Sequence, residues 1–262
     1  MLSPLYSNDT MGQNNNYQMA NYQQLQREER CLDILGTLQG ISIQQRFEFI
    51  LVMTGFQSPN VFRVFPINDQ WQQLSQKELF KCKELSSNFA RASFSPHYRP
   101  FEMLVYDCRF KDQDILFQSS SDQIVFKFVR KYRCTFWCLN RPRLDIFYRE
   151  KGYNQNLGYI INPFVFCKFS CHIFDSQDQL KYIIDAPGCQ CDELTFNIKT
   201  SNGEVVSFMK KQFRQSGSEL IDNFRVVFPQ NASKIEKALL LAATIMFEYM
   251  YFERRHGPQA ID

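Results

Sequence analysis

The chain has 262 residues, 44% of them apolar and 15% aromatic, which is ample for a large core and excludes wholesale disorder. Ten Gly and ten Pro exclude collagen-like and Pro/Gly low-complexity classes. Thirty Lys and Arg against 27 Asp and Glu leave a net charge of +3 with no dense basic face, so nucleic acid is not an expected partner.

Residues 1–30 stand apart from the rest. Ten of these thirty are Asn or Gln, and no charge falls between Thr10 and Gln26. Such a tract buries too little apolar area to offset its ordering entropy, so it reads as a flexible tail. A protein assembly that orders residues 1–30 on binding is accordingly one expected partner. The tail lacks the basic and apolar regions of a signal peptide, and its first Arg is Arg27, unlike an Arg-rich presequence. The nine cysteines, an odd number scattered from Cys31 to Cys191, suggest a protein that does not depend on disulfides. The sequons at Asn8 and Asn231 are then chance matches.

From Leu32 to about Phe228 the pattern is one of short strands. Leu144, Ile146 and Tyr148 alternate with Asp145, Phe147 and Arg149. Leu194, Phe196 and Ile198 alternate with Thr195, Asn197 and Lys199, and the turn Ser201-Asn202-Gly203 follows. Period-two alternation bounded by Asn/Gly turns marks half-buried strands. Further strands are expected over Val125–Arg130, Gly158–Ile161, Lys181–Asp185, Val205–Met209 and Phe224–Phe228. Their spacing suits an antiparallel sandwich or barrel better than a βαβ layout.

The C-terminus changes period. Ser233 and Glu236 form a capping-box pattern that opens a helix over 233–253. Leu239, Leu240, Leu241, Ile245, Met246, Phe247, Met250 and Phe252 leave no polar face, so this helix must be enclosed. Its apolar stretch reaches roughly 22 Å, short of the roughly 30 Å hydrocarbon core, and Glu248 opposes insertion. A helix threaded through a β-barrel fits better than one spanning a bilayer.

Five stretches resemble the phospholipid scramblases. They are Gln45 to Phe56 with its Thr54-Gly55-Phe56 turn, Arg99-Pro100-Phe101 with Arg133-Cys134, and Phe174-Asp175 followed by Tyr182 to Cys191. The others are Asp222-Asn223-Phe224-Arg225 with Phe228-Pro229, and the helix through Phe252-Glu253. The likeness spans about Leu32 to Arg255. It implies a mainly β, tubby-like closed antiparallel barrel over residues 31–255 enclosing the C-terminal helix, with short tails on either side. It also implies a membrane-associated protein that moves phospholipids between leaflets without selection and makes or breaks no bond. Its partner would be a phospholipid membrane surface, at the cytoplasmic face of the plasma membrane by resemblance or in the mitochondrion as the alternative.

Three features of that family transfer poorly. Its calcium segment overlaps Leu220 to Asn231, where Asp222 is the surviving carboxylate and Arg225 stands where the loop needs Gly. No cofactor is therefore expected, and Ca²⁺ coordination by Asp222 alone is not. The family's run of acylated cysteines shrinks to Cys134 and Cys138, with Phe136 and Trp137 between them. Its Pro-rich tail is absent from residues 5–58, which rules against recruitment through a polyproline helix. Zinc at Cys189 and Cys191, or at Cys167, Cys171 and His172, lacks the spacing of structural sites. His97, His172 and His256 are isolated and read as structural or surface residues. The expected alternative to a scramblase is a structural or accessory subunit on the same fold without lipid transport.

Overall fold

The computed structural model describes residues 31–46, 59–95, 97–109, 124–135, 139–150, 153–188, 194–216 and 219–253. Twelve antiparallel strands close into one barrel in which every strand pairs with its sequence neighbours and β1 pairs with β12. They are β1 (Gly40–Arg46), β2 (Val61–Ile67), β3 (Phe80–Leu85), β4 (Phe101–Asp107), β5 (Ile124–Arg130) and β6 (Arg143–Glu150). Then follow β7 (Tyr153–Ile161), β8 (Lys168–Asp175), β9 (Leu180–Pro187), β10 (Leu194–Thr200), β11 (Val205–Ser216) and β12 (Glu219–Val227). A short helix over 31–37, α1, precedes β1, and α2 (Asn88–Ser93) lies between β3 and β4. The seam is closed by pairs such as Gly40 with Val227 and Ile43 with Phe224. Closure leaves no sheet edge to be covered.

Within the barrel runs α3 (Lys234–Phe247), extended by a π-helical turn over Glu248–Phe252. The Ser233 hydroxyl accepts from the Glu236 amide, and the Glu236 carboxylate accepts from the Ser233 amide, completing the capping box. Every residue from Lys237 to Phe247 is buried. An eight-stranded barrel is just filled by its own side chains. A helix roughly 10–12 Å across therefore needs a wider ring, and twelve strands supply it.

Alternation faces the helix strand by strand. On β4, Phe101, Met103 and Val105 are buried while Glu102, Leu104 and Tyr106 are only partly covered. β7 and β8 approach closely at Gly158 (φ +146°), where a Cβ would lie 2.2 Å from the Phe174 carbonyl oxygen. Only glycine fits there. The start of the barrel is plugged by α1, whose carbonyls at Gly36 and, just beyond, Leu38 accept from the buried Lys237 ammonium at 2.6 and 2.8 Å.

Several elements differ from their expected bounds. The strand expected at Gly158–Ile161 begins at Tyr153, because Asn154, Gln155 and Asn156 pair with β6 while facing solvent. The one expected at Val205–Met209 runs to Ser216, and the one at Phe224–Phe228 begins at Glu219. The first strand is Gly40–Arg46, so of the stretch Gln45 to Phe56 only its first two residues lie in it; residues 47–58 lie outside the described ones. Residues 1–30 lie outside them as well, as do 254–262.

Leu240 is fully buried between helix and barrel. Leu240→Ala should cost about 2–5 kcal/mol, and Leu240→Asp should abolish cooperative folding by placing an unpaired charge there. Urea unfolding followed by circular dichroism checks both.

Candidate functional site at the helix-exit end of the barrel

Because the barrel is a simple meander, successive loops alternate between its two ends. The β3–β4, β5–β6 and β7–β8 loops lie at the end where the central helix emerges, since Glu253 meets Arg99 there and Tyr251 meets Asn162 and Ser170. This end has an inner polar ring and an outer apolar surface.

The inner ring holds charges inside the barrel wall. The Lys211 ammonium on β11 lies 2.5 Å from the Glu248 carboxylate at the start of the π turn, with both side chains buried. The rings of Phe224 and Phe252 stand 4.5 and 4.4 Å from that ammonium. One layer further out, the 1%-exposed Arg99 guanidinium pairs with Glu253 at 2.5 Å and with Glu84 at 3.4 Å. The Tyr249 hydroxyl donates to Glu84 at 2.8 Å, and the Asn60 amide donates to Glu253 at 3.0 Å. Tyr249 also stacks on Phe101, with ring centroids 4.2 Å apart. Burial alone would lower the Arg99 pKa, but Glu253 and Glu84 hold it above its ordinary value. Burial raises Glu253, and Arg99 opposes the shift. The neighbouring Arg130 donates to the His97 carbonyl oxygen and touches the Met250 sulfur. Burial brings its pKa down to about 10, against the pull of Tyr249 and Glu253.

The network joins two of the sequence stretches singled out above. Arg99-Pro100-Phe101 supplies the guanidinium and the stacked ring, and Phe252-Glu253 supplies the carboxylate, 154 residues later. A third stretch is explained locally: the Asp175 carboxylate accepts from the Gln177 and Gln179 amides and shapes the β8–β9 turn.

On the β3–β4, β5–β6 and β7–β8 loops the outer surface of this end is apolar and basic among the described residues. Its loops expose Phe89, Tyr98, Tyr132, Leu139, Phe164, Val165 and Phe166, the last at 84%. Residues 86–100, 131–142 and 162–168 contain no Asp or Glu, yet they include Lys131, Arg133, Arg141 and Lys168. The opposite end carries exposed Asp33, Asp69, Asp178 and Glu204 among its cations. On these three loops, aromatic tips beside cations fit an interface that is apolar and anionic at once.

The expected site residues fall as follows. Leu239, Leu240, Leu241, Ile245, Met246 and Phe247 are at most 1% exposed, and Met250 is 7% exposed. Phe252 is only half-buried and sits at the mouth against Phe169, Phe196 and Phe224. Asp222 occupies a register position in β12 opposite Gln45 and Phe213. Cys134 is exposed in the β5–β6 loop; Cys138 lies outside the described residues. Cys171 is buried and burial pushes its thiol pKa up, whereas Cys167 is exposed. No group of three His, Cys, Asp or Glu among the described residues is arranged to hold a metal. Sequence reasoning missed the Lys211–Glu248 pair, the Arg99 network and the apolar tip Phe164-Val165-Phe166. Only the last had a local signal, three apolar residues between Pro163 and Cys167.

The scramblase family model matches residues 19–254, nearly the whole chain, and the protein belongs to that family. Among individual relatives, phospholipid scramblase 1 of Rattus norvegicus is 25% identical over 233 residues, covering 85% of this chain and 62% of the relative. Phospholipid scramblase 4 of Homo sapiens is 23% identical over 234 residues, and phospholipid scramblase 2 of Bos taurus 24% over 233. These alignments cover 85% and 86% of this chain, and 64% and 72% of the two relatives. The chain therefore spans less than two thirds of the length of the rat protein. No solved structure matches it.

Lys211→Met leaves Glu248 charged and buried without its ammonium, at an expected cost of about 3–5 kcal/mol. Lys211→Met combined with Glu248→Leu should recover most of that loss. Chemical denaturation of both variants tests the pairing, and equal losses would show that the two groups act independently.

Proposed function

We propose that this protein is a membrane-associated, scramblase-like protein that seats the helix-exit end of its barrel on a phospholipid surface and there eases the movement of phospholipids between leaflets. The observation that carries this reading is the gathering of exposed aromatic and aliphatic tips with basic residues on three described loops, 86–100, 131–142 and 162–168, at one end of the molecule. Aromatic side chains settle at the headgroup level, and each Lys or Arg near an anionic leaflet adds about 1 kcal/mol. Family membership and the relatives' names support phospholipid as the substrate class.

The barrel lumen is filled by α3, so lipid does not pass through it. Movement of headgroups would follow the outside of the seated end, where apolar tips disturb packing. No helix among the described residues is long and apolar enough to cross a membrane. The chemistry needs no nucleophile or general base, and the protein works as a translocator rather than a catalyst of bond exchange. Acyl chains on Cys134, which is exposed on the same end, and on Cys138 would add anchoring to the leaflet. The cytoplasmic face of the plasma membrane is the proposed location, with the mitochondrion as the alternative.

Calcium independence is part of the proposal. Residues 219–227, where an acidic loop would be needed, form one continuous strand paired on both sides, and Arg225 donates to the Trp71 carbonyl at 2.7 Å. A loop of carboxylates around an ion has no room in that backbone. The same observation favours the second reading, an accessory subunit that keeps the fold and the docking end without transport, with residues 1–30 bound to a partner protein.

Purified protein in liposomes carrying fluorescent phospholipid separates the two. Lipid flipping unchanged by micromolar Ca²⁺ is expected, and a micromolar Ca²⁺ midpoint would overturn the calcium-free reading. Vesicle binding without flipping would leave the accessory reading. Phe166→Ser should weaken vesicle binding about fivefold, corresponding to roughly 1 kcal/mol of interfacial burial for one aromatic tip, while the folded state is unaffected. Binding indifferent to Phe166 would place the docking surface elsewhere.

A further inference from the structure

Between the β3–β4, β5–β6 and β7–β8 loops and the last turn of the helix lies a cavity of about 170 Å³. His97, Arg141, Asn162, Phe164, Lys168 and Tyr251 are among its walls, and no carboxylate lines it among the described residues. The 2%-exposed Asn162 holds the floor, its amide donating to the Ser170 carbonyl at 2.9 Å and to the Tyr251 hydroxyl at 2.5 Å. The Arg141 guanidinium is fixed by donating to the Asn162 backbone oxygen at 2.9 Å and its side-chain oxygen at 2.7 Å. Those acceptors are oxygens of one residue, and they set the orientation of the guanidinium. Lys168 is exposed, opens β8 and makes no ion pair or hydrogen bond among the described residues. Burial and the adjacent Arg130 lower the His97 pKa, opposed by a hydrogen bond in which the ring N–H donates to the Met250 backbone, so the ring is held in place as a wall of the cavity. Phe164 gives one wall an apolar face, 5.9 Å from the Arg141 guanidinium.

We propose that this cavity is a phosphate-ester site that takes the headgroup phosphate of a phospholipid, with Lys168 and Arg141 on its oxygens and Phe164 against the glycerol. The size agrees: the volume is well below the roughly 300–1,000 Å³ of pockets for drug-sized ligands, so a headgroup fits and an acyl chain stays outside. A guanidinium fixed in place beside a lysine ammonium brings two positive charges to phosphate oxygens. The inference deepens the reading of this end as membrane-facing and rests on it; soluble phosphate esters share the chemistry.

The full-length protein is tested with inorganic phosphate, sn-glycerol 3-phosphate, and vesicles of phosphatidylcholine with or without phosphatidylserine. Binding is read from the NMR signals of the His97 ring. Glycerol 3-phosphate should shift them, and Lys168→Ala should weaken that binding about fivefold. Lys131→Ala, an exposed cation of the same end outside the cavity, should leave it unchanged. Vesicles should displace bound glycerol 3-phosphate, which assigns the site to lipid. Equal losses in the two lysine variants, or no His97 shift with any probe, would overturn the site. Inorganic phosphate binding as tightly as the ester, with no displacement by bound vesicles, would overturn the lipid assignment while leaving the membrane-facing reading intact. Absence of vesicle binding despite a glycerol 3-phosphate response would instead overturn the membrane-facing reading, and the lipid assignment with it.

Discussion

A helix apolar on every face has to be surrounded, and most of this structure follows from that one requirement. From Lys237 to Phe247 no residue of α3 reaches solvent. A sheet packed on one side would leave half of it wet. Only a closed wall covers it all round, and closure in turn requires that β1 return to β12. The inward side chains are therefore large and aromatic where the wall stands off, as at Phe126, Phe128 and Phe196, and give way to glycine where two strands press together, as at Gly158. The sheet is the container and the helix is the core.

Apolar enclosure does not by itself set how deep the helix sits or how it is turned about its axis. Leu, Ala, Met and Phe on all sides pack acceptably in more than one arrangement. Charges remove that freedom. Lys237 reaches back to α1 at one end, Lys211 meets Glu248 where the helix widens into its π turn, and Arg99 meets Glu253 at the exit. A buried pair is about neutral in net stability against apolar substitutes but severe when one partner is lost. Two such pairs, with Lys237 on the carbonyls of Gly36 and Leu38, therefore penalise every wrong register along the helix. Their contribution lies in uniqueness more than in depth of the energy minimum.

This division explains what could be seen in the residues alone. Strands β6 and β10 alternate cleanly, and the apolar helix with its Ser233–Glu236 cap declares itself by composition. β11 was visible only to Met209, because the inward Lys211 that pairs with Glu248 looks like a break in the pattern. β2 hides for the opposite reason: Val64, Phe65 and Ile67 are all buried, on both faces, so no alternation survives. β7 hides its first half behind Asn154, Gln155 and Asn156. The exit-end site is illegible in principle from local spacing. Asn60, Glu84, Arg99, Tyr249 and Glu253 come from four separate stretches, and only closure of the barrel brings them together. Resemblance marked Arg99 and Glu253 as notable without revealing that they touch.

The filled lumen also accounts for the apolar surface at the exit end. Phe164, Val165 and Phe166 stand outside the filled lumen, and Phe164 and Val165 wall the cavity above Met250 and Tyr251 instead of joining the core. The loop is held up as well: Arg141 donates to the carbonyls of Asn162 and Pro163, and Cys167 adopts φ +51°. Asn162 in turn is tied to Tyr251 of the helix. The ordering of the helix end and the presentation of the apolar tip are thus one event. A side chain held out on such a tethered loop loses little entropy when another surface covers it. The constraint that builds the core of this protein thereby also shapes its exit end.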